Sequence, residues 1–172
     1  ESFLLLRDDC CNIFANLKDK HYREVRKAII EMVLSTDLSV HLQLVGNLKT
    51  AMLSEQKEDV ANDPMMLMKV VVKCADIGHS SKIQHLHGQW SSLIIEEFFL
   101  QGDEERRLGL QISPFMDRSA ENSAKNQVGF FEFIALPFYE TVAEVMFGED
   151  FTPILNNIRT NYKLWKQAVQ LQ

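Results

Sequence analysis

Apolar residues recur at helical spacing along almost the whole chain. Two runs carry the pattern clearly: Val25, Ile29, Met32 and Val33, then Leu38, Leu42, Val45 and Leu48. The alternation of apolar and polar residues that is typical of a half-buried strand is nearly absent. The sequence therefore predicts an all-α fold, a compact multi-helix bundle, with one domain over residues 1–172.

The stretch PMMLMKVVVKCAD, residues 64–76, is interpreted as a buried helix. Asp63 is suited to cap its first turn and Pro64 to occupy its first position. Its three valines leave a strand as the alternative. Gly78 then ends the helix, and a second one is expected to end at the QGD of residues 101–103. The inner face of this second helix is predicted to carry Ile83, Leu86, His87, Trp90, Leu93, Ile94 and Phe98.

Between residues 102 and 122 the chain is polar and irregular, which predicts a loop, and loops of this length are often functional. Helical spacing returns over residues 122–147, with a bend expected at Pro137. A last helix is predicted from about Thr152 to the end of the chain.

Composition excludes some classes of partner. The chain is 46% hydrophobic, carries a net charge of -6 and has scattered basic residues, so a nucleic acid finds no basic patch to bind. Three cysteines, two of them adjacent, make a poor disulfide framework, which favours an intracellular, cytoplasmic setting. The apolar runs are shorter than the roughly 20 residues that cross a bilayer, so no transmembrane segment is expected.

The first residues, ESFLLLRDDCCNIF, have the pattern of an amphipathic helix without a methionine or a cap before it. The pattern predicts that the chain begins inside a larger protein.

Asp76 is the first candidate for chemistry. A carboxylate at the C-terminal end of a helix faces the negative end of the helix dipole, so a cation is expected nearby. A divalent metal ion would supply it, but a cap on the following turn or a pair with Lys82 would also satisfy the carboxylate. His79 is open to the roles of ligand, substrate contact or polar loop residue. His41 either shares a helix face with Asp37 or forms a solvated pair with it.

Gln127 and Phe130 lie three residues apart on a predicted helix, so their side chains project from neighbouring points of one face. An amide beside an aromatic ring suits a flat heterocycle, which can stack on the ring and exchange hydrogen bonds with the amide. Ordinary core packing is the alternative.

The segments ADIGHSSK, EEFFLQGDEE, SPFMDR and NQVGFFEF stand in an order and spacing that resemble one family. The chain is similar to the C-terminal part of the class I 3',5'-cyclic nucleotide phosphodiesterase catalytic domain. The resemblance implies hydrolysis of cyclic AMP, cyclic GMP or both to 5'-nucleotides, with two divalent metal ions, zinc and magnesium or manganese. The family's upstream metal-binding motifs and its general-acid histidine have no counterpart here. The resemblance therefore implies no general acid in this chain and no appreciable activity of the chain alone.

The resemblance also assigns roles to residues. Asp76 matches a metal ligand, and Thr36 and Asp37 match residues that line the metal pocket, with Thr36 behind the ligands. Gln127 matches the glutamine that binds the purine edge, Phe130 the ring that stacks on the base, and Ile94 the opposing apolar residue. The pocket wall would be completed by Leu38, Ile77, Phe98 and Phe115. His79 matches a position near the base where specificity varies.

Two other functions stay open from the sequence. A catalytically inactive relative could bind a cyclic nucleotide without cleaving it, or the chain could be a structural helical domain in which Asp76 is only a cap. The preference for cyclic AMP or cyclic GMP, a dimer through regions outside this chain and membrane attachment through such regions are also left open. The resemblance also implies that the segment between Met52 and Pro64 is shorter than in the family.

Overall fold

The computed structural model of the protein describes residues 1–53, 63–120 and 123–171, with side chains left out for residues 51–53. The described residues form helices and turns and include no strand. The all-α prediction is therefore confirmed, and the strand alternative for residues 64–76 is wrong.

The α-helices are α1 Ser2–Leu5, α2 Asp19–Leu34, α3 His41–Leu53, α4 Pro64–Asp76, α5 Gln84–Arg107, α6 Ser123–Phe130, α7 Leu136–Val142 and α8 Thr152–Gln170. Short 3-10 turns lie at Leu38–Val40, Gly78–Ser81, Arg118–Ala120 and Gly148–Phe151. Two π-helical segments, Phe131–Ala135 and Ala143–Phe147, follow α6 and α7.

The predicted helix starts follow from local capping. The Asp63 carboxylate accepts a hydrogen bond of 2.9 Å from the backbone N–H of Met65, and Pro64 is the first residue of α4. Proline also lies in the first turn of α8, which begins at Thr152 as predicted. Because the cap and the proline act within one turn, the sequence alone is sufficient to locate such starts.

The irregularity expected at Pro137 takes the form of a π segment. Phe131–Ala135 immediately precedes α7, and Pro137 lies in the first turn of α7. Proline has no backbone N–H and its ring crowds the preceding turn, so a widened turn before it relieves the mismatch.

Two predicted helix bounds are wrong. The N-terminal helix covers Ser2–Leu5 and no more, because the side chains of Asp8 and Asn12 accept hydrogen bonds from the backbone of Cys10 and Phe14 and form turns that compete with a helix. The helix expected to end at residues 101–103 continues to Arg107, and the loop begins at 108 rather than at 102.

The buried side of α5 also differs from the prediction. His87, Ser91 and Gly102 are its buried residues, whereas Trp90 and Leu93 are more than half exposed. The predicted inner face is therefore wrong for most of its apolar residues within the described chain. At Gly102 the reason is a close approach, because the backbone of Met116 leaves no room for a side chain there.

The core lies between α4, the long α6–α7 helix and α8. Its fully buried residues include Val70, Phe131, Phe138, Val142 and Ile158. The hydroxyl group of Tyr139 donates a hydrogen bond of 2.7 Å to the backbone carbonyl of Cys74 and so ties α7 to α4. Helix α2 packs against the outer side of α4.

Among the described residues, no single helix is long and apolar enough to span a membrane. A bent pair, Asp19–Leu34 with Leu38–Thr50, meets that length and composition test when its two helices are taken together.

Candidate functional site

Asp76 is the last residue of α4 and its side chain is exposed. Lys73 lies one turn earlier and is fully buried, and its ammonium group donates a hydrogen bond to the backbone carbonyl of Thr36. Burial lowers the pKa of Lys73, while the nearby carboxylates of Asp76 and Asp37 act to raise it. The buried lysine therefore connects the end of α4 to the segment that follows α2, which are the two places where the metal pocket was predicted.

Asp37 stabilises the turn that follows α2. Its carboxylate accepts a hydrogen bond of 2.8 Å from the backbone N–H of Ser39 and caps the turn Leu38–Val40. This hydrogen bond holds the pKa of Asp37 below its ordinary value, and the charge of Lys73 adds to the effect. The hydroxyl group of Thr36 donates to the carbonyl of Val33 at 2.8 Å, which ends α2.

The described residues do not by themselves fit a complete metal centre. They contain no group of three or more His, Cys, Asp and Glu side chains close enough together to hold one ion. Zinc in proteins takes about four ligands. Asp76 and Asp37 therefore supply at most part of a ligand set.

His41 is fully buried, so the alternative in which it forms a solvated pair with Asp37 is wrong. Its ring lies 5.7 Å from the ring of Phe138, and neither ring nitrogen has a hydrogen-bond partner among the described residues. Burial lowers the pKa of His41, and the charge of Lys73 lowers it further. His41 thus contributes a neutral ring to the inner side of the segment that Asp37 begins.

Gln127 and Phe130 lie one turn apart on α6, as predicted. Gln127 is 9% exposed, and its side-chain oxygen Oε1 is buried without a hydrogen-bond partner. The ring of Phe130 stacks on the imidazole of His79, with centroids 5.4 Å apart and planes inclined by 23°. The structure therefore brings His79 and Phe130 together although they are 51 residues apart in sequence.

His79 is held in a neutral state. Burial lowers its pKa to about 4, and the neighbouring His87 contributes to the shift. Its ring also stacks on His87, with centroids 5.7 Å apart and planes inclined by 14°. A neutral, stacked imidazole is a rigid planar surface rather than a mobile charge.

The remaining predicted wall residues differ in exposure. Ile77 is 6% exposed and belongs to the core, and Ile94 is half-buried on α5. Leu38, Phe98 and Phe115 are between 40% and 65% exposed. Within the described residues, no aromatic contact or hydrogen bond joins Phe98 or Phe115 to Gln127 or Phe130.

Phe115 borders a small cavity of about 160 Å³. The cavity is lined by Phe99, Phe115, Asp117, Ala120, Ser123 and Asn126. Phe115 also has a backbone φ of 71°, in the left-handed region that non-glycine residues rarely adopt. Backbone strain of this kind is common at functional sites.

Sequence reasoning missed two sets of residues at the site. The sequence pattern places Lys73 in an apolar helix and carries no signal of its burial near the carboxylates of Asp76 and Asp37. The second set lies on α8 and contacts the turn that follows Asp76 and the start of α5. It consists of Asn157, Asn161 and Trp165. Their spacing of four residues was the available signal, since it aligns polar groups along one helix face.

Comparison with known proteins identifies the family. Residues 1–158 match the family described as 3'5'-cyclic nucleotide phosphodiesterase. The chain belongs to this family. The family predicted from the sequence motifs is thereby confirmed.

Individual relatives agree with the family assignment. The chain is 35% identical to 3',5'-cyclic-AMP phosphodiesterase, isoform F, of Drosophila melanogaster, over 98% of this chain and 26% of that protein. It is 37% identical to the probable 3',5'-cyclic-AMP phosphodiesterase pde-4 of Caenorhabditis elegans, over 97% of this chain and 26% of that protein. The chain thus spans about a quarter of the length of these curated relatives.

The fold is that of a phosphodiesterase structure. A solved structure, LmjPDEB1 in complex with IBMX, aligns with a TM-score of 0.82 and 25% sequence identity, over 99% of this chain and 51% of that chain. The helical arrangement described above is therefore that of about half of the related chain.

Proposed function

We propose that this chain forms the nucleotide-binding part of an enzyme that hydrolyses a 3',5'-cyclic nucleotide to the 5'-nucleotide, with cyclic AMP as the first candidate substrate. The names of the two relatives above support the choice of cyclic AMP. One observation carries the proposal: the buried, unpaired Oε1 atom of Gln127 lies one helical turn from the stacked ring of Phe130.

A buried acceptor without a partner is costly, so a ligand that donates a hydrogen bond to Gln127 would recover that cost. The edge of a purine carries such a donor, the amino group of adenine or the ring N–H of guanine. The ring of Phe130 supplies an aromatic surface on which the same base can stack. The Gln127 amide can rotate to suit either base, and His79, which stacks on Phe130, is the candidate specificity residue.

We also propose that Asp76 contributes one ligand to a divalent metal site, for zinc and magnesium or manganese, that residues outside the described set complete. Thr36 and Asp37 would line this site, with Lys73 fixing their position relative to α4. When bound, the metal ions would polarise the phosphate. None of the described residues is assigned the role of general acid, and the isolated chain is expected to be inactive.

The wall of the nucleotide pocket is assigned to Ile94, Leu38, Ile77, Phe98 and Phe115. An intracellular setting is proposed because Cys10, Cys11 and Cys74 are free thiols.

The test uses the full-length protein that contains this chain. Gln127→Ala is expected to weaken the binding of cyclic AMP about 5- to 150-fold, because a buried hydrogen-bonding partner worth about 1–3 kcal/mol is lost. Gln167→Ala, at an exposed glutamine of α8, is the matched control and should bind as the wild type does. If equilibrium binding shows that Gln127→Ala binds cyclic AMP as the wild type does, the alternative of a purely structural helical domain is supported instead.

A second arm measures hydrolysis of cyclic AMP and cyclic GMP side by side. Release of the 5'-nucleotide is expected with at least one of them. Binding without release would favour an inactive, nucleotide-binding relative over the proposed enzyme.

A further inference from the structure

Helix α8 carries a stripe of hydrogen-bonding side chains that faces the turn after Asp76 and the start of α5. Asn157, Asn161 and Trp165 are spaced by four residues and therefore lie along one face of the helix. Asn161 is fully buried, although asparagine seldom is unless hydrogen bonds compensate it. The stripe therefore has specific partners rather than solvent.

These partners are the backbone of the turn Gly78–Ser81 and its flank. The side-chain amide of Asn157 donates to the carbonyl of Ser81 at 3.0 Å. The amide of Asn161 donates to the carbonyls of Ser80 and Lys82, at 3.0 and 2.8 Å. The ring of His87 donates a further hydrogen bond to the carbonyl of His79. Each carbonyl of residues 79 to 82 therefore accepts a hydrogen bond from a side chain. A turn held at successive carbonyls has little freedom to change its shape.

The third member, Trp165, acts through His87. The indole N–H of Trp165 can only donate, and it lies 2.8 Å from Nε2 of His87, so Nε2 is the acceptor. The proton of the neutral imidazole is then on Nδ1, which donates to the carbonyl of His79 at 3.0 Å. His87 is 3% exposed, and burial lowers its pKa, in agreement with a neutral ring.

The chain of contacts ends on the stacking ring of the pocket. His87 stacks on the ring of His79, and His79 stacks on Phe130. Two contacts thus set the orientation of the His79 ring. Helix α8 holds the backbone of the turn that contains His79, and Trp165 holds the His87 ring on which His79 stacks. Any change in how α8 packs alters the surface that His79 and Phe130 present.

We propose that Asn157, Asn161 and Trp165 are positioning residues by which α8 fixes His79 against Phe130, and that this contact sets the affinity of the pocket for the cyclic nucleotide. The proposal rests on the function proposed above. It assigns α8 an effect on nucleotide binding and base preference, and none on the bond-breaking step.

The test compares Asn157→Ala and Trp165→Phe with Asn156→Ala in the full-length protein. Asn156 is the exposed neighbour of Asn157 on the same helix, so it is a matched control. Asn157→Ala and Trp165→Phe are expected to raise KM for cyclic AMP about 3- to 10-fold, as the loss of one hydrogen bond in a binding site allows, with kcat within about twofold of the wild type. Asn156→Ala should leave both constants unchanged.

A double-mutant cycle tests whether α8 acts through His79. In a His79→Ala background, Trp165→Phe is expected to add no further change in KM, because the ring that it orients is absent. The proposal is overturned if KM stays at the wild-type value in both α8 variants. It is also overturned if kcat falls with KM unchanged, or if the effects of Trp165→Phe and His79→Ala are additive.

Failure of this proposal is distinguishable from failure of the proposed function. If Gln127→Ala weakens binding while the α8 variants bind normally, the positioning role alone is wrong. If Gln127→Ala also binds normally, the nucleotide pocket itself is wrong. Thermal unfolding of each variant is measured in parallel, and an α8 variant that does not fold is replaced by Asn157→Asp, which keeps the size of the side chain but has no donor for Ser81.

Discussion

Gly102 of α5 lies directly against the backbone of Met116, at the far end of the loop that follows the helix. A Cβ atom at position 102 would lie 2.7 Å from the carbonyl carbon of Met116 and would overlap its oxygen. Only a glycine allows the loop to approach so closely. The glycine that looked like a helix end in the sequence is therefore a docking point inside the helix.

Gly102→Ala is expected to lower the free energy of unfolding by about 1–3 kcal/mol, because the loop backbone has to move to make room. Gly88→Ala in the same helix is the control, since nothing lies within 4 Å of a Cβ atom there. That change should stabilise the protein by about 0.5–1 kcal/mol through helix propensity. Denaturant unfolding of both variants checks the pair, and equal effects of the two substitutions would contradict the close approach.

Lys73→Met is expected to destabilise the protein by about 1–2 kcal/mol, because the carbonyl of Thr36 loses its donor. The pKa of Asp37 should rise in the same variant, since Lys73 contributes to holding it low. NMR titration of the carboxyl carbon and denaturant unfolding give the two readouts.

Lys69→Met, on the same helix, is the control for Lys73. Lys69 forms a partly exposed ion pair of 3.3 Å with Glu31, and its loss should cost less than about 1 kcal/mol. A Lys73→Met variant as stable as the wild type would mean that the cost of burying the ammonium group equals what its hydrogen bond contributes.

The pH dependence of stability should reflect His79. Its pKa is about 4 in the folded protein and 6.5 as an ordinary value, so the unfolded chain binds a proton first as the pH falls. The free energy of unfolding is therefore highest above about pH 6.5 and should decrease by at most about 3 kcal/mol between pH 6.5 and pH 4. His87 acts in the same direction.

His79→Phe should flatten the decrease in stability between pH 6.5 and pH 4, because the phenyl ring keeps the stack and does not titrate. His85→Phe, at an exposed histidine of α5, is the control and should keep the wild-type slope. Unfolding measured at several pH values checks the prediction, and an unchanged slope in His79→Phe would refute it.

Phe115 allows the cost of its backbone conformation to be separated from the role of its ring. Phe115→Gly and Phe115→Ala both remove the ring, but only glycine adopts a φ of 71° without strain. The glycine variant should be more stable than the alanine variant by about 1 kcal/mol. Both should weaken cyclic AMP binding equally if the ring forms part of the pocket wall. A glycine variant less stable than the alanine variant would contradict the strain.

Local chemistry explains which predictions from the sequence succeeded. The start of α4 depends on Asp63 and Pro64, and both act within one helical turn, so their order in the chain was sufficient. The pairing of Gln127 with Phe130 on one face follows likewise from helical periodicity. The end of α5 was predicted wrongly because the reason for Gly102 is the backbone of Met116, which no local pattern encodes.

The sequence by itself determined the helical class, the starts of α4 and α8, the family and the candidate residues Asp76, Gln127 and Phe130, since these depend on short-range spacing and on motifs. The tertiary structure alone decided that Lys73 is buried near the carboxylates of Asp76 and Asp37 and that His79 stacks on Phe130. It also decided that Asn157 and Asn161 of α8 hold the turn Gly78–Ser81. Such contacts join residues far apart in the chain, and their energies depend on burial and on distances that arise only when the helices pack.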